Sequence, residues 1–186
     1  MREIVPWKIL HSEAVFQHRW YHLRRDHVLL PTGQVLDDYF VSVRPDVVLI
    51  FALTTDQQVL LVRQYKHGIA DILVELPGGV IDAHEKSPLA AAQRELLEET
   101  GYAADSFELL AEVVDNPTKD TNRISFFLAR NARRVAEQQL DETENIEVLA
   151  VPLSEVETWV LNGTIRVAGS VALCLLASRK LKNIYL

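Results

Sequence analysis

Three glutamates stand close together in a segment that the sequence predicts to be helical. Glu95, Glu98 and Glu99 are spaced i, i+3 and i+4, so their side chains share one face of a helix. Like charges at this spacing repel one another, and the negative end of the helix dipole disfavours anions in the last turn. Mg²⁺ prefers carboxylate oxygens and also holds phosphates, so a bound Mg²⁺ would offset this charge. For any such triplet taken alone, a solvated acidic helix end is the alternative.

The ends of this helix are marked by residue types that favour helix termini. Ser87 suits the N-cap, Pro88 the first helical position and Gly101 the stop, which predicts a helix over 88–100. Arg94 can reach Glu98 one turn further on, but one guanidinium leaves the cluster acidic. The leucines expected to face a core from the opposite side are Leu89, Leu96 and Leu97.

A glycine-containing segment precedes the helix. Pro77 lacks a backbone donor and is followed by Gly78 and Gly79, which tolerate backbone angles closed to other residues, so we expect the sheet to end here. Glycines also let the backbone approach a phosphate or a carboxylate closely. Together, this segment and the acidic helix indicate a site for a metal and a diphosphate.

The remaining elements are mostly strands, recognised by short apolar or alternating runs between turn residues. Two polar loops, 115–122 and 136–145, are long enough to carry functional residues. The predicted strands are 21–30, 34–43, 47–53, 58–65, 73–76, 107–114, 123–129 and 146–151, and the further predicted helices are 154–162 and 167–180.

Composition excludes several classes of protein. The 186 residues are 48% apolar and 24% charged, close to the globular average, with a net charge of −7 that disfavours nucleic-acid binding. A single cysteine, Cys174, excludes an internal disulfide. The longest apolar stretch, 167–177, is too short to span a membrane. The start of the chain lacks the apolar core of a secretion signal, so we expect a cytoplasmic protein.

The spacing of the acidic residues resembles the signature of the Nudix hydrolases. That signature is Gly, five residues, Glu, seven residues, then Arg-Glu-aliphatic-x-Glu-Glu-x-Gly-aliphatic. Here Gly79 is followed by five residues and Glu85, and after eight more residues, positions 94–102 read RELLEETGY. The chain departs from the signature by one extra residue, assigned to Lys86, and by Tyr102 at the closing aliphatic position. The extra residue falls where loop becomes helix, where a bulge can absorb it.

This resemblance implies roles for the motif residues. Glu95, Glu98 and Glu99 would be ligands of Mg²⁺, with Mn²⁺ as an alternative ion. Arg94 would orient the glutamates, and Glu85 would brace the loop. The family hydrolyses nucleoside diphosphates linked to another moiety, by attack of water on phosphorus. The implied fold is an α/β/α sandwich around a mixed central β-sheet.

Outside the signature, the chain is similar to the ADP-ribose pyrophosphatase branch. Residues 75–79 read ELPGG, Pro117 lies where the branch carries a proline, and 141–148 read DETENIEV, like the acidic catalytic loop of the branch. A glutamate of that loop acts there as general base, which implies Glu144 here, with Glu142 second. A solvated acidic turn is the alternative for this loop.

Further residues are candidates for contact with an adenine, a ribose or a phosphate, although packing or surface charge explains several of them equally well. An arginine beside the Pro117 loop could grip a phosphate through paired donors. The candidates are Arg63, Tyr65, Lys66, Gly78, Gly79, Pro117 and Arg123.

The resemblance also suggests a division of the chain. Residues 1–45 would form an N-terminal antiparallel strand region, and 46–186 the Nudix domain. Enzymes of the branch are usually homodimers whose N-terminal sheet reaches the partner, so we expect a homodimer.

The sequence thus predicts a Mg²⁺-dependent enzyme that cleaves ADP-ribose or a related nucleotide sugar into a nucleoside monophosphate and a sugar phosphate. GDP-mannose, NADH and dinucleoside polyphosphates are alternative substrates. Two other classes stay open: a noncatalytic nucleotide sensor with the same fold, and an interaction domain whose acidic helix meets a basic partner.

Overall fold

The computed structural model describes residues 3–182, which fall into two compact units. The first unit comprises the residues up to Pro45 together with the segment Val114–Asn122. The second comprises Asp46–Val113 and the chain from Arg123 onwards. The division predicted from the sequence, 1–45 and 46–186, keeps the segment 114–122 with the second region and stays a prediction.

The first unit is a three-stranded antiparallel sheet. Its strands are β1 (Lys8–His18), β2 (Tyr21–Leu29) and β3 (Val35–Ser42), paired in the order β1-β2-β3. The turn between β2 and β3 was predicted, and Gly33 adopts a positive φ of 87° in it. β1 was not predicted, because its residues are exposed on both faces and show no apolar alternation.

The second unit contains a mixed seven-stranded sheet. Its strands are β4 (Val47–Thr54), β5 (Gln58–Lys66), β6 (Asp71–Glu75), β7 (Tyr102–Ala103), β8 (Ser106–Val113), β9 (Ile124–Arg134) and β10 (Ile146–Pro152). β4 and β9 are parallel, and the other pairs are antiparallel. The main path runs β10-β5-β4-β9-β7, with β6 beside β5 and β8 beside β9.

Helices cover both faces of this sheet. Helix α1 (Pro88–Thr100) packs on one face in a cluster with Leu60 and Phe127. Helices α2 (Leu153–Leu161) and α3 (Ala168–Lys182) pack on the other face. The predicted α/β/α sandwich is thereby confirmed. Within residues 3–182, none of these helices has the length and apolarity needed to cross a membrane.

The predicted ends of α1 are confirmed, but the prediction that Leu89 faces the core is wrong. The Ser87 hydroxyl accepts a hydrogen bond from the Ala90 amide at 3.3 Å, and Gly101 closes the helix with a φ of 75°. Leu96 is buried, whereas Leu89 in the first turn is 39% exposed. Two small residues, Ala91 and Ala92, are buried on the helix face that meets the sheet, so the helix packs closely there without Leu89.

β6 ends at Glu75, so the strand stops before Pro77 as predicted, but the backbone beyond it still bonds to the sheet. β4 and β5 are paired only near their connecting turn, so the first half of β4 has an open edge. The glycine segment lies along that edge: the amide of Ile50 donates to Pro77 O at 2.9 Å, and that of Val48 donates to Gly79 O at 2.8 Å. A Cβ on Gly78 would lie 2.1 Å from the Val48 carbonyl oxygen. Glycine is therefore required for close backbone approach at this position.

Candidate active site

The acidic face of α1 lies against the glycine segment. Glu95 and Glu99 are 9% and 4% exposed, whereas the side chain of Glu98 is 39% exposed. Glu99 Oε2 accepts a hydrogen bond from the Gly78 amide at 2.8 Å. A Cβ on Gly79 would lie 2.3 Å from Glu95 Oε1, so the missing side chain of Gly79 is the space that this carboxylate occupies. The structure thus brings the two halves of the motif into contact.

Arg94 connects the cluster to the preceding loop. Its Nε and Nη2 donate to the two oxygens of Glu85 at 3.0 and 3.1 Å, and its Nη1 donates to Glu95 and Glu98 at 2.8 and 2.9 Å. Nη2 also donates to the carbonyl oxygen of Val80 at 2.9 Å. The Arg94 guanidinium lowers the pKa of Glu85, and Glu85 in turn raises the pKa of Arg94. This arrangement holds Glu85, Glu95 and Glu98 in set orientations.

The extra residue of the motif does not displace Glu85. The amide of Asp82 donates to Glu85 Oε2 at 2.8 Å, and the amide of Glu85 donates to the Asp82 carbonyl at 2.9 Å. This turn keeps the Glu85 carboxylate within reach of Arg94. Lys86 follows as an exposed residue directly before the helix cap.

The cluster carries excess negative charge. Burial raises the pKa of Glu99 to about 8. Three neighbouring carboxylates act in the same direction, those of Glu95, Glu144 and Glu75. Burial also raises the pKa of Glu95, against the opposing effect of Arg94. A positive charge at this place would remove the cost of ionising both side chains.

The donor set fits a hard divalent cation. Glu95 and Glu98 each use one carboxylate oxygen in the contact with Arg94. In the part of the chain that the structure describes, no three acidic, histidine or cysteine side chains already converge as a coordination shell. Mg²⁺ commonly uses few protein carboxylates and takes its other ligands from water and substrate phosphates. The buried oxygens, and the negative charge that remains after pairing with Arg94, match that chemistry.

The loop between β9 and β10 brings one more glutamate to the cluster. Glu144 is half-buried, and its Oε2 accepts a hydrogen bond from the Asp141 amide at 3.0 Å. Its charge raises the pKa of both Glu95 and Glu99. Glu142 lies exposed in the turn of the same loop. Of the two predicted base candidates, Glu144 is therefore the one whose charge acts on the acidic face.

Glu75 is a member of the site that the sequence analysis did not assign. It is 7% exposed and contacts Gln64 Nε2 at 3.0 Å and Lys66 Nζ at 2.7 Å. The available signal was a charged residue that follows the apolar run 72–74 and lies two positions before Pro77. Such a residue is rarely buried unless it is paired.

The three candidates for substrate contact on β5 do not lie together. Residues of a strand alternate between faces, and Leu60 packs on the α1 side while Leu61 packs on the α2–α3 side. Lys66 consequently lies on the face of α1, where it pairs with Glu75. Arg63 and Tyr65 lie on the other face, and Arg63 pairs with Glu147 at 2.6 Å.

The last two candidates lie in different units. Pro117 is exposed in the first unit. Arg123 is exposed directly before β9 in the second unit, where its amide donates to Asp46 Oδ1 at 2.7 Å. That bond orients the backbone at the entry to β9.

Comparison with known families agrees with this geometry. The family model described as NUDIX domain matches residues 43–168. The chain belongs to the Nudix family. A second model, described as nucleoside diphosphate sugar hydrolase N-terminal domain, matches residues 7–42. The Nudix assignment made from the spacing of the acidic residues is confirmed.

Several proteins resemble this Nudix chain over most of its length. The ADP-ribose pyrophosphatase of Bacillus subtilis (strain 168) is 30% identical over 149 residues, which cover 80% of each chain. The methanol dehydrogenase activator of Bacillus methanolicus is 29% identical over 161 residues, 86% of each chain. A crystal structure described as an ADP compounds hydrolase superposes with a TM-score of 0.87 at 23% identity, covering 99% of this chain and 98% of the other. That superposition shows that the two chains share a fold.

Proposed function

We propose that this Nudix hydrolase cleaves the pyrophosphate bond of a nucleoside diphosphate sugar, with ADP-ribose as the first candidate. The expected products are a nucleoside monophosphate and a sugar phosphate. The similarity to an ADP-ribose pyrophosphatase over 80% of both chains supports this substrate class. So does the match of residues 7–42 to a domain of nucleoside diphosphate sugar hydrolases.

The observation that carries the proposal is the pair of buried glutamates, Glu95 and Glu99, held against the two glycines that precede α1. Burying two carboxylates side by side is costly unless a cation compensates them. Nudix hydrolases generally need a divalent metal, and we propose Mg²⁺, held by Glu95, Glu98 and Glu99. When bound, Mg²⁺ offsets the charge of the diphosphate oxygens and orients them for attack.

Residues of the chain would transfer the proton and orient the metal ligands. We propose Glu144 as the general base that takes the proton of the attacking water, because its charge already acts on Glu95 and Glu99. Glu142 is the second candidate. Arg94 would keep Glu95 and Glu98 oriented, and Glu85 would hold Arg94 in turn.

The proposed contacts with the rest of the substrate follow from the faces of the sheet. Lys66 is our candidate for a phosphate contact, because it lies on the face of α1 and already pairs with a buried carboxylate. Arg63 and Tyr65 lie on the other face of the sheet, so together with the exposed residues Pro117 and Arg123 they stay candidates for the nucleotide portion only.

A substrate panel tests the function. Purified protein with Mg²⁺ is expected to convert ADP-ribose to AMP and ribose 5-phosphate faster than it cleaves GDP-mannose, NADH or a dinucleoside polyphosphate, with products identified by chromatography. A chelator should abolish turnover. Absence of turnover for every diphosphate with Mg²⁺ and with Mn²⁺ would contradict the proposal. Tight binding of ADP-ribose without product, measured by calorimetry, would instead support a nucleotide sensor.

We also propose a homodimer formed through the sheet of the first unit. Large apolar side chains are exposed along its strands and at its β1–β2 turn, among them Ile9, Phe16, Trp20 and Phe40. A three-stranded sheet that exposes this many large apolar side chains is a candidate surface for association with a second copy. Sedimentation velocity is expected to give twice the 21.1 kDa mass of one chain at micromolar concentration. A single species with the mass of one chain would contradict the dimer.

A further inference from the structure

The end of the acidic helix is closed by a segment from another part of the chain. An α-helix leaves its last carbonyl groups without partners inside the helix. In α1 the amide of Gln139 donates to Glu98 O at 2.9 Å, and the amides of Val135 and Ala136 donate to Gly101 O at 2.9 and 3.1 Å. The segment that follows β9 therefore lies on the turn that carries the predicted metal ligands.

Gln138 makes a further contact of this kind with its side chain. Its Nε2 donates to the carbonyl oxygen of Glu99 at 2.6 Å and to that of Ile146 at 3.2 Å. Both partners are carbonyl oxygens, which can only accept, so the nitrogen of the amide has to face them. The two hydrogens of one amide group thereby connect the last turn of α1 with the first residue of β10.

This double contact holds together the two ends of the loop 139–145. The loop 139–145 begins after Gln138, beside the end of α1. It ends before Ile146, which pairs with Gln64 in the sheet. Glu144 lies in this loop, half-buried, with its amide donating to the Asp141 carbonyl at 2.9 Å. Compact loops whose ends are held together keep a defined shape. The position of Glu144 relative to α1 thus depends on the two hydrogen bonds that Gln138 makes at the ends of the loop.

We propose that Gln138 is a positioning residue that holds the loop 139–145, and with it Glu144, on the C-terminal end of α1. The inference rests on the proposed function, in which Glu144 is the general base. Gln138 touches neither the substrate nor the metal. Its effect on the reaction is indirect. When a general base is displaced by about 1 Å from its productive position, the rate can fall about 100-fold.

The test compares two neighbouring glutamines. Gln138→Met keeps the length of the side chain but removes both donors. Gln139→Met is the matched control, since its side chain is exposed and its contact with Glu98 O is made by the backbone. We expect Gln138→Met to lower kcat by about 10- to 100-fold. KM should change by less than about threefold, because the contacts that bind substrate are retained. The control should match the wild type.

A double-variant cycle separates positioning from general damage. In a Glu144→Gln background, Gln138→Met should lower kcat by less than about a further twofold, because the group that it positions is already inactive. If the two effects multiply instead, or if Gln138→Met alone keeps wild-type kcat, the proposal is overturned. Gln138→Asn retains the amide but is too short for both carbonyls, so an intermediate kcat is expected even if the methionine variant folds poorly.

Hydrogen exchange gives a readout that needs no activity. In Gln138→Met the amides of residues 140–145 should exchange at least about tenfold faster, whereas those in the middle of α1 should be unchanged. Unchanged exchange in the loop overturns the inference whatever the kinetics. If the wild type cleaves no diphosphate, the proposed function fails, and the exchange rates alone decide whether Gln138 holds the loop.

Discussion

Replacing Glu99 with glutamine is expected to lower kcat for the diphosphate substrate by roughly 100-fold or more. A metal's charge stabilisation is worth several kcal/mol, and about 1.4 kcal/mol corresponds to a factor of ten. The fold should persist, since the amide oxygen of glutamine can still accept from the Gly78 amide. The measurement is the initial rate of AMP release at saturating ADP-ribose and Mg²⁺.

The same variant should be more stable than the wild type when metal is absent. The pKa of Glu99 rises from 4.5 to about 8 on folding. Between these values only the folded state holds the proton, so the free energy of unfolding of the wild type falls as the pH rises through this window. The loss of unfolding free energy reaches about 5 kcal/mol well above pH 8. Glutamine has no such titration, so the variant should lack this slope.

Urea unfolding with a chelator at pH 5 and at pH 8.5 measures the difference. Glu98→Gln is the matched control: its side chain is 39% exposed, so we expect lost activity without a change in the slope. Equal pH dependence of the wild type and Glu99→Gln would show that Glu99 is not buried as an uncompensated charge. Full activity of Glu99→Gln would remove it from the set of metal ligands.

The second large effect is expected for Glu144→Gln. A general base contributes about 100- to 10,000-fold to a rate, and the amide cannot take a proton, so kcat should fall within that range. KM should stay close to the wild-type value. Glu142→Gln is the control from the same turn, and because Glu142 is exposed we expect its kcat to stay within about twofold.

Steady-state kinetics with ADP-ribose and Mg²⁺ checks both substitutions, with circular dichroism to confirm folding. A larger loss for Glu142→Gln than for Glu144→Gln would assign the proton transfer to Glu142 after a rearrangement of the loop. Near-wild-type rates for both would place the base outside this loop.

The local parts of the site followed from the sequence. Ser87, Pro88 and Gly101 mark the ends of α1 because capping depends on residues within a few positions of the helix end. The shared face of Glu95, Glu98 and Glu99 follows from helical periodicity alone. These features depend on interactions between residues close together in the chain, so they can be predicted from the sequence.

Other features did not follow from the sequence, because they depend on distant residues. The glycine segment continues along β4 because β4 and β5 separate beyond their turn, and that separation is a property of the whole sheet. Arg63 and Lys66 are both predicted to contact substrate, yet they lie on opposite faces of β5. Only the packing of the helices decides which of those faces lies towards α1 and which towards α2 and α3.

The sequence by itself determined the acidic helix, its caps, the glycine segment and the family signature, since each is a pattern of residue types at fixed spacing within 77–102. The tertiary structure decided which carboxylates are buried together. It brought Glu75 from the end of β6 and Glu144 from the loop before β10 to α1, and it placed Gln138 on the end of the helix. Burial and charge coupling arise only when such distant segments pack against each other, so they could not be inferred from residue order.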